Sequence, residues 1–223
     1  MKGSFFDELT RFDSFDFLSF LKNVRREDVE RALLKESLDD LDFLTLFSHR
    51  ALEYLEPLAQ RAHECTLANF GRMILLYTPL YISNYCDNDC LYCGFKHSNA
   101  IQRRKLSINE VEGEAQEIAQ SGIRHVLLLT GESKDVSPVS YIKECIQAVS
   151  RYFTSVGIEI YPLTEDEYAS LIAAGADGLT IYQETYDRGL YSTLHPRGPK
   201  SDYRFRLDDP QRAADARMRQ VNI

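Results

Sequence analysis

A parallel α/β fold, a partial TIM-type barrel of about four βα units behind a helical N-terminal region, is predicted by three observations. From about residue 71 onward, apolar strand-like runs alternate with amphipathic segments of helical length, the pattern of successive βαβ units. Polar clusters follow those runs, at the strand ends where barrels gather their functional residues. Neither a G-x-G-x-x-G fingerprint nor a P-loop is present, so nothing marks the strands as a nucleotide-binding doubly wound sheet.

Residues 1–70 read as helices with no convincing strand. Asp28–Lys35 is a short amphipathic piece, and Ser37 is an N-cap candidate for Leu38–Phe47, with Asp39 and Asp40 favourable in its first turn. A helix over about Arg50–Ala68 is expected to be kinked or divided at Pro57 and to stop at Gly71. Residues 71–223 read as the barrel domain. Met73–Ser83 is its first strand. Ser107 with Glu110 forms a capping box for a helix ending at Ser121-Gly122, and His125–Thr130 is a buried strand. A helix over Val139–Phe153 and a strand over Gly157–Tyr161 follow. Thr164 with Glu167 caps the next helix, which stops at Ala174-Gly175, and Asp177–Tyr182 is the fourth strand. Asp208 or Asp209 with Pro210 opens a last helix, and Val221-Asn222-Ile223 has the character of the first residues of a fifth strand.

At 223 residues and 44% hydrophobic, the chain can bury a sizeable core. Its formal charge of −8, from 26 Lys and Arg against 34 Asp and Glu, gives no electrostatic footprint for nucleic acid. The N-terminal MKGSFFDELTRFDSF has acids among its aromatics and lacks the core of a signal peptide. The longest apolar stretch, Met73–Ile82, is interrupted by Thr78 and Pro79 and falls short of the roughly 18 residues of a membrane span. Five cysteines, three of them clustered, argue against a secreted disulfide framework. Cys65 and Cys145 read as buried thiols on helices, and a reducing cytoplasm is the expected compartment.

The three clustered thiols, Cys86, Cys90 and Cys93, lie three and two residues apart on the loop after the first strand. Thiolates select zinc, copper(I) or iron–sulfur clusters. A structural zinc site is closed by four ligands; three ligands and one vacancy suit a reactive centre, an incomplete zinc site being the plainer alternative. Three further segments end strands: Thr130-Gly131-Glu132-Ser133, the alternating Glu159 and Tyr161, which both face the interior if the strand runs on, and Gln183-Glu184-Thr185-Tyr186. Arg206 and the loop His195-Pro196-Arg197-Gly198-Pro199-Lys200 offer cations for carboxylates.

CxxxCxxC after a first strand, with an aromatic before the last cysteine, resembles the radical S-adenosylmethionine superfamily. The longer stretch SNYCDNDCLYCGFKHSN, the following Arg103-Arg104-Lys105-Leu106, and TGES, YQETY and HPRGPK resemble its tyrosine lyases, which make 2-iminoacetate for thiamin thiazole synthesis and have a close relative in hydrogenase cofactor assembly. The resemblance runs from about residue 70 to the end. It implies a [4Fe–4S] cluster on Cys86, Cys90 and Cys93 whose fourth iron binds S-adenosylmethionine. It places Tyr92 beside the adenine, Thr130, Gly131 and Glu132 at the cofactor ammonium, and Glu159 at the ribose, with Tyr161, Glu184 and Arg206 also cofactor-binding. Gln183 and Glu184 are the candidates for contact with the reacting substrate. The implied reaction starts with hydrogen abstraction from the amino group of L-tyrosine and cleaves Cα–Cβ to give 2-iminoacetate and 4-cresol. A flavodoxin- or ferredoxin-type reductant and thiazole synthase are the implied partners, with no nucleic acid and no membrane.

Four βα units leave two open sheet edges, which proteins normally pair or cover. The expectation is therefore a C-terminally truncated barrel or one completed by a partner, with residues of the tyrosine pocket lying outside this sequence. An inactive remnant retained as an interaction module is the non-enzyme alternative.

Overall fold

The structure, a computed structural model, describes residues 4–223; the first three residues of the helical region 1–70 lie outside them. Two compact units are present: Leu9–Ile74, and Leu75–Ile223 together with residues 4–8.

After α1 (Phe5–Thr10), the smaller unit carries α2 (Phe17–Asn23), α3 (Arg26–Leu34), α4 (Asp40–Thr45), a 3-10 segment over His49–Tyr54 and α5 (Leu55–Phe70). Its core is Val24, Val29 and Ala51, with Phe20, Leu33, Leu46 and Tyr54 against them. Asp39, not Ser37, caps α4: its carboxylate accepts from Leu41 N and Asp42 N, while Asp42 accepts from Asp39 N. A carboxylate two residues further on thus sets the start that the hydroxyl was expected to set. Pro57 lies in the first turn of α5, where its missing N–H is not needed, so the expected helix divides at Tyr54. Gly71, at φ +65°, ends α5. Cys65 is exposed on that helix, contrary to the buried thiol expected, whereas Cys145 is buried.

In the larger unit the elements alternate: β1 (Tyr77–Ser83), α6 (Ile108–Gln120), β2 (His125–Thr130), α7 (Val139–Val149), β3 (Ser155–Glu159), α8 (Glu165–Ala174) and β4 (Gly178–Thr180). The short α9 (Arg188–Leu194), α10 (Tyr203–Leu207) and α11 (Asp209–Asp215) then precede β5 (Gln220–Asn222). All pairings are parallel and the strand order is β1-β2-β3-β4-β5. Each strand lies beside its predecessor, the winding of a barrel; a doubly wound sheet reverses direction at a switch point.

The two sheet faces differ in chemistry. Leu80, Ile82, Val126, Leu128, Val156, Ile158 and Leu179 share one face and pack with Val111 and Ala115 of α6, Ile142 and Ile146 of α7, and Tyr168 and Leu171 of α8. The opposite face, in register through Leu127, Gly157, Gly178 and Gln220, borders an open space of about 400 Å³ that Glu159, Thr180 and Asn222 also line. Capping boxes at Ser107/Glu110 and Thr164/Glu167 fix α6 and α8 over the covered face. No helix among the described residues is long and apolar enough to cross a membrane.

Candidate functional site: a cysteine-lined cleft at the strand ends

β1 delivers the chain into the loop 84–105, and the end of β2 approaches that loop closely. Gly131 N donates to Ser83 O at 2.9 Å, and Asp87 N donates to Glu132 O at 3.0 Å. A Cβ on Gly131 would lie 2.3 Å from Tyr85 O and 3.1 Å from Cys86 Cβ, so glycine is required by the contact itself. Arg103 holds the far side of the loop, donating to Asn84 O, Phe95 O and Lys96 O at 2.6, 2.8 and 2.7 Å. The second brace is the 194–200 segment: Leu91 N donates to Leu194 O and Asp89 N to Arg197 O, at 3.0 and 3.1 Å.

The loop so held presents Cys86, Cys90 and Cys93 to one cleft of about 180 Å³. None is in a disulfide. Burial raises the thiol pKa of Cys86, and likewise that of Cys90, where the Lys200 charge opposes it. Phe95 N donates to Cys93 Sγ at 3.4 Å.

A network of charges lines the same cleft. Glu132 Oε1 accepts from Arg206 Nη1 at 2.8 Å, and their side chains are only 12% and 6% exposed. Burial works against the Arg206 cation, but the Glu132 charge and hydrogen bond outweigh it and hold its pKa above the usual value. Arg206 Nε also donates to Tyr182 O at 2.7 Å. Lys200 Nζ meets Glu184 Oε1 at 2.7 Å; burial would raise the Glu184 carboxyl, yet the Lys200 hydrogen bond and charge bring it below its ordinary value. Glu184 itself sits at φ +71°, which turns the chain out of line with β4 and aims this carboxylate at the cleft. Glu159 is raised by burial and then by the Glu184 charge.

Tyr92 reaches His195 with its hydroxyl, 2.7 Å from Nε2, and His195 Nδ1 lies 2.9 Å from Tyr191 O. A carbonyl only accepts, so Nδ1 carries the proton and Tyr92 donates to Nε2. Burial lowers the His195 pKa, which favours this neutral tautomer.

Of the residues singled out from the sequence, Cys86, Cys90, Cys93, Tyr92, Thr130, Gly131, Glu132, Glu159, Glu184 and Arg206 all line the one cleft. Two do not. β3 ends at Glu159, ahead of Pro162, so alternation fails there; Tyr161 turns into the helix-covered core and donates to Ser137 O at 2.7 Å. Gln183, singled out with Glu184 as following the fourth strand, lies beyond the end of β4 at Thr180 and lines a separate pocket with Phe5, Tyr186 and Leu207. Asn88 and Lys200 are cleft residues that sequence reasoning did not assign individually. The HPRGPK loop, expected either to meet carboxylates or to lie in solvent, meets the protein's own: Lys200 pairs with Glu184, and Arg197 lies 3.5 Å from Asp89.

The donor set is soft: three free thiols line one cleft, the ligand type that selects iron–sulfur clusters or zinc. The buried Thr130 hydroxyl has no partner in the protein and lies on the cleft wall, an orphaned group of the kind a ligand satisfies.

The family model described as the Radical SAM superfamily matches residues 80–223. The 2-iminoacetate synthase of Salmonella typhimurium strain LT2 is 40% identical over 196 residues, covering 88% of this chain and 52% of the relative. That of Escherichia coli strain K12 is 38% identical over 220 residues, covering 99% and 58%. The chain thus spans about half the length of the curated relatives it matches. Among solved structures, HydG, a maturase of the [FeFe]-hydrogenase, superposes with a TM-score of 0.86 at 28% identity, over 96% of this chain and 48% of that one.

Proposed function

The chain belongs to the radical SAM superfamily, whose enzymes use a [4Fe–4S] cluster and S-adenosylmethionine, and from that premise we propose that it is the cofactor-holding part of a tyrosine lyase. The reaction proposed is cleavage of the Cα–Cβ bond of L-tyrosine to 2-iminoacetate and 4-cresol, S-adenosylmethionine becoming 5′-deoxyadenosine and methionine. A flavodoxin- or ferredoxin-type protein supplies the electron, and thiazole synthase receives the imine. The observation that carries this reading is that Cys86, Cys90 and Cys93 line the same cleft as Glu132.

Bound there, the cluster and S-adenosylmethionine supply one-electron chemistry that yields a carbon-centred radical. The chain's own residues do the holding. Cys86, Cys90 and Cys93 would be the thiolate ligands, with the Phe95 amide on Cys93 Sγ. Glu132, fixed by two donors, keeps lone pairs for an ammonium group, and Gly131 removes the side chain that would part the loop from β2. Thr130 offers its unpaired hydroxyl. Tyr92 offers a half-exposed ring to the adenine, and Glu159 a carboxylate to the ribose. Glu184 and Arg206 provide charges for the polar end of cofactor or substrate.

Anaerobic reconstitution with iron and sulfide tests the reading. The expected protein absorbs broadly at the blue end of the visible and forms 5′-deoxyadenosine when reduced with S-adenosylmethionine, with little or no 4-cresol released from tyrosine by this chain alone. Cys90→Ala should lose both properties. A colourless protein that takes up one zinc and no iron would overturn the proposal.

The likeness to HydG favours a second reading, the branch serving hydrogenase maturation. Identity is higher to the two 2-iminoacetate synthases, 40% and 38% against 28%, which supports the thiamin branch. The full-length reading frame decides: further clustered cysteines downstream support the hydrogenase branch, and growth without thiamin of a strain lacking 2-iminoacetate synthase that expresses the full frame supports the first.

A further inference from the structure

Asn88, between the first two cysteines, is 1% exposed and both ends of its amide are engaged. Nδ2 donates to Glu132 Oε2 at 2.9 Å, and Oδ1 accepts from Lys200 N at 2.8 Å. Its own carbonyl accepts from His97 N at 2.7 Å. One side chain thereby joins the cysteine loop to a residue 44 positions away after β2 and to another 112 positions away. The 198–200 turn is built flush against it. Gly198 has φ +95°, and a Cβ there would fall 2.4 Å from Asn88 Oδ1 and 2.6 Å from Asn88 Cα.

Glu132 is therefore held by two donors of different kinds, one on each oxygen. Arg206 supplies charge to Oε1; Asn88 supplies a neutral N–H to Oε2. The residue type at 88 matters. An alanine leaves Glu132 Oε2 short of a donor and the Lys200 amide short of an acceptor, each costly in a buried setting. An aspartate keeps the acceptor for Lys200 N but sets a second carboxylate against Glu132.

We propose that Asn88 is a positioning residue: it fixes the Glu132 carboxylate on the cleft wall for the amino group of S-adenosylmethionine, and ties that orientation to the docking of the 198–200 turn that carries Lys200. The ligand half of this assignment rests on the function proposed above; the docking half does not.

The test compares the parent, Asn88→Ala and Asn88→Asp as whole chains. After anaerobic reconstitution, iron content and equilibrium binding of S-adenosylmethionine are measured without turnover; on the protein as purified, amide hydrogen exchange is followed over the peptide containing Lys200. Both variants should load iron as the parent does and bind S-adenosylmethionine more weakly, on the order of ten-fold. Exchange at Lys200 should accelerate in Asn88→Ala and stay near the parental rate in Asn88→Asp, which retains the acceptor. Binding within two-fold of the parent in both variants, or loss of iron from both, would overturn the assignment, the second outcome making Asn88 a part of loop folding alone. A parent that loads iron but does not bind S-adenosylmethionine defeats the functional reading and the ligand half together. Unchanged exchange in Asn88→Ala defeats the docking half in its own right.

Discussion

The two faces of the sheet are made from the same strands, residue by alternate residue, yet they obey different rules. On the helix-covered face every strand contributes branched or large apolar side chains, and Ile82, Leu128, Ile158 and Leu179 are fully buried. Burial of such side chains contributes roughly 1.5–3 kcal/mol apiece. On the open face β3, β4 and β5 present glycines and polar groups, from Gly157 and Gly178 to Glu159, Thr180 and Asn222, beside Tyr77 and Leu127 of β1 and β2. Stability is concentrated on one side of the backbone and binding chemistry on the other. A residue's parity in its strand thus says more about its role than its identity does.

The largest test of that contrast is a pair of neighbours. Leu128→Ala, on the covered face, should cost about 2–5 kcal/mol, read as a lower midpoint in urea. Leu127→Ala, one residue away and half-buried on the open face, should cost about 1 kcal/mol. Equal losses would break the comparison.

Two glycines sharpen it next. Gly131→Ala must part the end of β2 from Tyr85, since the new Cβ would lie 2.3 Å from a backbone oxygen; iron uptake on reconstitution should fall to a minor fraction while the unfolding midpoint moves little. Gly157→Ala, on the open face, meets Leu127 Cδ1 at 3.0 Å. That atom is the end of a flexible side chain that can turn aside. A stability change within about 1 kcal/mol and unaltered iron uptake are expected. If both alanines behaved alike, the close approach at Gly131 would carry no special weight.

The same division explains what was legible in the sequence. Period and caps are local: the capping boxes at Ser107/Glu110 and Thr164/Glu167, the stops at Gly71 and Gly175, and the apolar run His125–Thr130 all reappear as read. An error arose where a strand was taken to continue. Tyr161 was placed at the cleft by extending the alternation of β3 past Glu159, and its side chain lies in the core; Gln183 was singled out with Glu184 as following the fourth strand, and it lines a different pocket. Asn88 carried no signal of its own, because an asparagine in a loop is ordinary and its partners are remote in the chain. The 194–200 segment, read as a loop able to meet carboxylates, packs along the cysteine loop through backbone bonds that no side-chain pattern announces.

The smallest effect concerns pH, and it separates an anchor of the covered layer from the buried packing it supports. Glu110 closes the capping box of α6: its carboxylate accepts from Ser107 N at 2.7 Å and pairs with Arg104 at 2.8 Å. The Ser107 backbone bond first, then Arg104, bring its pKa down from the ordinary 4.5 to about 2. A carboxyl whose pKa is lower folded than unfolded adds stability that is present above the unfolded value and is lost as pH falls toward the folded one. The Glu110 contribution should therefore be intact at neutral pH and decline between about 4.5 and about 2. Glu110→Gln keeps a side chain able to cap but cannot titrate. Its thermal midpoint should lie slightly below the parent's at neutral pH, and the gap should close through that window. A gap that stays constant down to the lower limit would show that the acid sensitivity of this layer arises from other carboxylates, while the buried contacts of Val111 and Ala115 on the same helix are indifferent to pH in either case.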